Sequence, residues 1–74
     1  AEDGAQQAVL NGTVVSVREA RTPVKEGDVL VSVDSLVGGV PAARADRDGV
    51  GKEVRVQKGQ TIAKQDVVAV LESK

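Results

Sequence analysis

Apolar positions along this chain come in short runs, most of them alternating, and none has the length or period of an ordinary helix. Thr13-Val14-Val15-Ser16-Val17 is β-branched and partly alternating, and it follows the turn signal Leu10-Asn11-Gly12. Arg18 to Pro23 is charged and closes on proline, which predicts a loop. Val24-Lys25-Glu26-Gly27-Asp28 leads into a second strand, Val29 to Asp34. Val29, Val31 and Val33 fall on one face of it and Leu30, Ser32 and Asp34 on the other. Val37-Gly38-Gly39-Val40-Pro41 is the strongest breaker cluster. Ala42 to Asp46 is open between a short strand and one helical turn. Asp48-Gly49 and Lys58-Gly59-Gln60 read as turns, Val54-Arg55-Val56 as a strand, and Val67 to Leu71 as the last strand. Ala1 to Gln7 is small, polar and aperiodic. It predicts a disordered linker or terminus, with the folded domain over residues 8–74.

The pattern repeats. Asn11-Gly12 opens one half and Asp48-Gly49 the other, and Val29-Leu30-Val31-Ser32-Val33-Asp34-Ser35 matches Val67-Val68-Ala69-Val70-Leu71-Glu72-Ser73, at offsets of 37 and 38 positions. Neither half has enough apolar residues for a core of its own. Two halves face to face share one, so the sequence predicts an all-β fold: a flattened β-sandwich or barrel, a barrel-sandwich hybrid, of two halves related by an approximate two-fold.

Composition narrows the chemistry. The 74 residues fit one small domain, which at this size buries only about 60% of its unfolded surface and is stable by a narrow margin. The core must come from valine, with 16 Val against 4 Leu and 1 Ile. Stiff β-branched side chains suit thin pleated layers rather than a helix bundle. Without His or Cys there is no disulfide, no thiolate or imidazole metal site, and no Ser-His or Cys-His nucleophile. With Tyr missing as well, an enzyme is not expected. The lack of aromatics removes any platform for stacking bases, and a net charge of −1 with interspersed signs offers no basic stripe, so no nucleic-acid partner is expected. No apolar run is long enough for a membrane-spanning helix. A chain opening on Ala1 reads as cut or processed from a longer one, which leaves any targeting segment out of view.

On these residues the chain resembles the biotinyl/lipoyl-type carrier domain family. DGVGKEVRVQKGQTIAKQDVVAVLES is similar, without a gap from Asp48 to Glu72, to the second half of such domains. NGTVVSV followed by VKEGDVLVSVDS is similar to their first half, with one gap near Arg18 to Pro23. The resemblance spans roughly residues 8–73. It implies carboxyl or acyl carriage by a swinging arm, tethered to a lysine at a hairpin tip within E-[AS]-M-K-M for biotin or at a D-K pair for lipoate. Here the corresponding tip is Asp34, Ser35, Leu36, Val37, Gly38 and Gly39, about one residue longer than the family's, with valine at the acceptor position and no lysine from Leu36 to Gly51. The nearest lysines, Lys25 and Lys52, lie outside it. No biotin or lipoate is therefore expected. The expectation is an unmodified docking or packing module whose partner is a protein of a carboxylase, acyltransferase or transport assembly. Its compartment is cytoplasmic if it is carrier-like and periplasmic if it is adaptor-like.

Two alternatives stand beside this reading. One is a lipoyl-like adaptor domain of a membrane-fusion or transport protein. The other is a SAF-type, type III antifreeze-like binding module, which GVPAARADRD and VGKEV…KGQTIAKQDVV also resemble. It predicts an irregular fold with short helical turns after Val29 and after Ala42. The remaining motifs read as structural. Asp46-Arg47-Asp48-Gly49 fails the EF-hand calcium pattern, because arginine stands where acids are needed at Arg44 and Arg55, so no metal is expected. Gly38-Gly39 reads as a hairpin requirement for positive φ. Arg18, Arg21, Arg44 and Arg47 read as a solvated mixed surface, and Asp28 and Asp34 as unrelated rather than paired carboxylates.

Overall fold

The computed structural model describes residues 3–73. The strands in chain order are β1 (Ala5–Gln7), β2 (Gly12–Val17), β3 (Pro23–Val24), β4 (Val29–Val33), β5 (Val40–Arg44), β6 (Gly49–Val54), β7 (Thr61–Ile62) and β8 (Val67–Glu72). They form two antiparallel sheets, ordered β1-β8-β6-β3 and β5-β4-β2-β7. There is no helix among the described residues. The positions after Val29 and after Ala42, where the SAF-like alternative needs helical turns, lie in β4 and β5.

The expected two-fold governs the topology. It carries β1, β2, β3 and β4 onto β5, β6, β7 and β8, and so carries one sheet onto the other. Each sheet takes its two neighbouring inner strands from one half and both edge strands from the other: β2 and β4 are flanked by β7 and β5, and β6 and β8 by β3 and β1. Neither half is therefore a folding unit by itself. The side chains between the sheets are small: Val14, Val31, Val33 and Val68 are essentially sealed from water, with Ala42, Ala43, Ala69, Leu30, Ile62 and Leu71 around them.

The repeat is reproduced in individual hydrogen bonds. In the turn before β4 the Asp28 carboxylate accepts from Lys25 N at 2.9 Å, and in the turn before β8 the Asp66 carboxylate accepts from Ala63 N at 2.9 Å. The asparagine and aspartate of the Asn-Gly and Asp-Gly pairs cap each other's half. Lys64 N donates to Asn11 Oδ1 at 2.6 Å, and Glu26 N donates to Asp48 Oδ1 at 2.8 Å. Those pairs were expected to be turns. Their glycines instead begin β2 and β6, and their role is close approach: a Cβ on Gly12 would lie 2.9 Å from Val33 Cβ, and one on Gly49 2.5 Å from the Glu72 carbonyl oxygen.

Four local expectations change. Of the segment expected to be a disordered linker or terminus, residues 1 and 2 lie outside the described residues, but Ala5–Gln7 form β1 against β8. The reason is polar rather than apolar. Gln6 is buried, its amide donating to Gly4 O and to Asp46 Oδ1, both at 2.9 Å, and its Oε1 accepting from Asp46 N at 3.0 Å. Hydropathy patterning cannot see such an anchor. Of Ala42 to Asp46, the residues through Arg44 resolve as strand, within β5, and Ala45 and Asp46 follow it. The strand expected at Val54-Arg55-Val56 lies earlier, over Gly49–Val54: Gly49, read as a turn, pairs with Val24 of β3, and Gly51 pairs with Leu71 of β8. In β4, Leu30 and Val31 are both buried, against the expected alternation, because the register to β5 shifts on either side of Val31.

Two predictions arise from this frame. Arg21 (φ 71) and Gln65 (φ 77) adopt the left-handed conformation at positions whose two-fold mates are Gly59 (φ 93) and Gly27 (φ 92). A side chain there costs roughly 1 kcal/mol. Arg21→Gly is therefore expected to raise stability by about 0.5 kcal/mol after the added entropy of the unfolded chain. An unchanged or lower urea midpoint would sink that account.

The second concerns Asp46. Its pKa lies below the ordinary 3.8, chiefly through the hydrogen bonds from Arg47; partial burial opposes this, and the Gln6 amide adds to it. A depressed folded-state pKa means that its contribution is full above 3.8 and is lost as pH falls through the lower folded value. The carboxylate is half exposed, so the amount is about 0.5 kcal/mol. Thermal unfolding of wild type and Asp46→Asn should differ at neutral pH and converge once the pH has fallen through the lowered folded-state pKa. A gap that persists in acid contradicts this.

Candidate functional site: the hairpin tip

β4 and β5 are adjacent antiparallel strands, with Val33 opposite Val40, and the six residues between them form the tip. Asp34 stays anchored, its N donating to Thr13 O at 2.8 Å. Beyond it the chain folds into a four-residue turn. Gly38 N donates to Ser35 O at 3.1 Å, Ser35 Oγ donates to Gly38 O at 2.5 Å, and Val37 N donates to Ser35 Oγ at 3.2 Å. Serine first and glycine last is ordinary turn chemistry. Gly38 has φ 105, the positive φ expected of the Gly38-Gly39 pair. Gly39 packs near β2, where an added Cβ would lie 3.4 Å from Val15 Cγ2.

The two residues at the centre of the turn are not ordinary. Leu36 is 106% and Val37 89% exposed, the most exposed large apolar side chains among the described residues. With Val15, itself part-exposed beside Gly39, they make the tip apolar. The tip carries one ionisable group, Asp34, which has no ion pair among the described residues. Asp34 and Ser35 are the tip's only polar side chains, and no group of His, Cys, Asp or Glu suited to a metal occurs among the described residues.

The other candidate residues separate. Asp28 closes the turn before β4, while Asp34 starts the tip, so the two do different things. Asp46 and Asp48 bind Arg47 and Glu26 N, a corner rather than a cation loop. Three of the four arginines bond different partners. Arg18 donates to Val29 O at 3.3 Å, Arg44 donates to Gly27 O at 2.9 Å, and Arg47 pairs with Asp46 and, at 3.0 Å, with Asp3.

A feature missed in sequence is an open groove between β1 and β5, beside the turn at Lys64-Gln65. Its signal was present in the repeat: Lys64-Gln65 occupies the place that Glu26-Gly27 holds in the other half.

No family model matches the sequence, and no curated protein matches it. Solved structures do match in fold. The chain is similar over 100% of its length to 8% of a single-chain, multi-domain long-chain acyl-CoA carboxylase, at 26% identity and a TM-score of 0.83. It is also similar, over 100% of its length, to 23% of the ectoine utilization protein EutE (DoeB) from Ruegeria pomeroyi, at 24% identity and a TM-score of 0.73. A third match joins 92% of the chain to 22% of an aspartoacylase family protein from Mesorhizobium loti, at 18% identity and a TM-score of 0.73. The chain thus spans less than a quarter of each of these proteins. It has the all-β fold of a segment of a multi-domain carboxylase.

Proposed function

We propose that this domain is a non-catalytic module of the biotinyl/lipoyl carrier type that keeps the fold and the exposed hairpin and works without a covalent cofactor, as a protein-docking element. The observation that carries this reading is the tip. A hairpin at the family's attachment position presents Leu36 and Val37 to solvent, and no lysine occurs from Leu36 to Gly51. The likeness to a carboxylase segment supports a carrier-type origin. The two-fold of the halves supports it independently, because the resemblance to carrier domains covers both halves in order. On this reading the module has no reaction of its own. Its contribution is apolar contact: burying a leucine and a valine in a partner's pocket is worth about 1.5–3 kcal/mol each.

A second reading draws on the ectoine utilization and aspartoacylase family structures, where the same fold occupies 23% and 22% of a larger chain. On this reading the tip of the present chain serves as a packing contact inside a larger protein. Both readings share one test, intact mass after co-expression with a biotin ligase and, separately, a lipoate ligase. The expected result is no added mass with either enzyme. A single biotin or lipoyl adduct overturns both readings and restores a swinging-arm carrier.

A further inference from the structure

We infer that the groove along the free edge of β1 is a binding site for an extended acidic peptide segment of a partner protein. This inference stands apart from the tip and does not depend on it. β1 is the end strand of its sheet, with β8 on one side and no hydrogen-bonded strand on the other among the described residues. β5, its two-fold mate, is likewise an end strand. The two are bridged at Val9 N to Ala42 O, 2.8 Å, and by the bonds between Gln6 and Asp46. Beside this bridge lies an open groove of about 420 Å³, walled by Gln7, Ala8, Val9, Arg44, Lys64 and Gln65. An unpaired strand edge accepts an added strand through main-chain hydrogen bonds, and alternate side chains of that strand supply the selectivity.

The charges select the peptide. Arg44 and Lys64 make no ion pair among the described residues, and the hydrogen bond shown for the Arg44 guanidinium is to the Gly27 carbonyl. Asp46, on the rim, is held by Arg47 and Gln6, so its charge is already met. Val9, 62% exposed, adds an apolar contact. A strand alternating acidic and small apolar residues matches this wall.

The two-fold provides an internal control. Gln7 donates to Gln65 O at 3.0 Å, and Arg44, its mate, donates to Gly27 O at 2.9 Å, so the scaffold is the same on both sides. The side chains offered there are not. One side has Lys64-Gln65 and the other Glu26-Gly27. Folding does not need a side chain at residue 65, since glycine does the same job at residue 27, yet Gln65 is kept in a left-handed conformation.

The test is amide NMR of the labelled domain titrated with a blocked hexapeptide alternating Glu and Val. Its Lys-Val counterpart and free glutamate serve as comparisons. The expected result is that the Glu-Val peptide alone shifts the signals of Ala5–Val9, Arg44 and Lys64-Gln65, less so as salt rises. Arg44→Glu combined with Lys64→Glu should weaken binding by about tenfold or more. Because Arg44 also bonds the Gly27 carbonyl, Lys64→Glu alone serves as a second variant in an exposed turn, with a smaller loss in the same direction. Gln65→Gly should raise the urea midpoint while lowering affinity. No shift, an equal response to the Lys-Val peptide or to free glutamate, or shifts at Leu36–Gly38 in place of the groove would each overturn the inference.

Discussion

Gly49→Ala is expected to remove most of the stability of this domain. A methyl group on Gly49 would sit 2.5 Å from the carbonyl oxygen of Glu72 and 3.2 Å from its carbon. Both are backbone atoms of β8, an inner strand bonded to β1 and β6, so no side-chain rotation relieves the clash. β8 can retreat only by giving up its register with β6, in which Val50 faces Glu72 and Gly51 faces Leu71. The cost should be about 3 kcal/mol or more. Stability at this size is only on the order of 5 kcal/mol, so a large fraction unfolds at physiological temperature. Gly59→Ala is the control. Gly59 has φ 93 and no atom within 4 Å of the position its Cβ would take, so its substitution pays conformational strain alone, roughly 1 kcal/mol. Equal urea midpoints for the two variants would show that close approach to β8 is not what selects glycine at position 49.

Val37→Lys should convert a lysine-free hairpin into a substrate for biotin ligase. Val37 lies at the centre of a hydrogen-bonded turn, is 89% exposed, and follows Asp34-Ser35-Leu36, similar to the acid-small-apolar lead of the biotin acceptor motif. With nothing packed on it, its replacement should change stability by less than about 0.5 kcal/mol. The expected readout is a shift from no adduct in the wild type to one biotin per chain in the variant, seen in intact mass. A folded variant that stays unmodified would mean that the longer tip no longer has the attachment geometry, and the comparison with carrier hairpins would then hold for the sheets and not for the tip.

The outline of the fold was readable because it is written in short-range pattern. The apolar runs Val29–Val33 and Val67–Leu71 mark two of the four inner strands, β4 and β8, and their repetition marks the two-fold. The tip was readable by inventory, since a missing lysine needs no coordinates. The edges were harder. β3 and β7 have two residues each, too few for a period, and their place is set by bonds to residues far away in sequence, Pro23 opposite Val50 and Thr61 opposite Thr13. β1 looked structureless because its anchor is the amide of Gln6, whose partner Asp46 lies 40 positions along the chain.

By itself, then, the amino-acid sequence determined a two-part, valine-cored β domain with a lysine-free tip, because burial and turn chemistry act on neighbours two to four residues apart. Only the tertiary structure decided that each half lends both edge strands to the other's sheet. It also decided that Gly12 and Gly49 make room for crossing strands, whereas the sequence had read them as turns, and that Gln7, Arg44, Lys64 and Gln65 wall one groove. Those outcomes rest on distances between residues that no local pattern relates, and packing fixes such distances only once both halves have closed on the shared core.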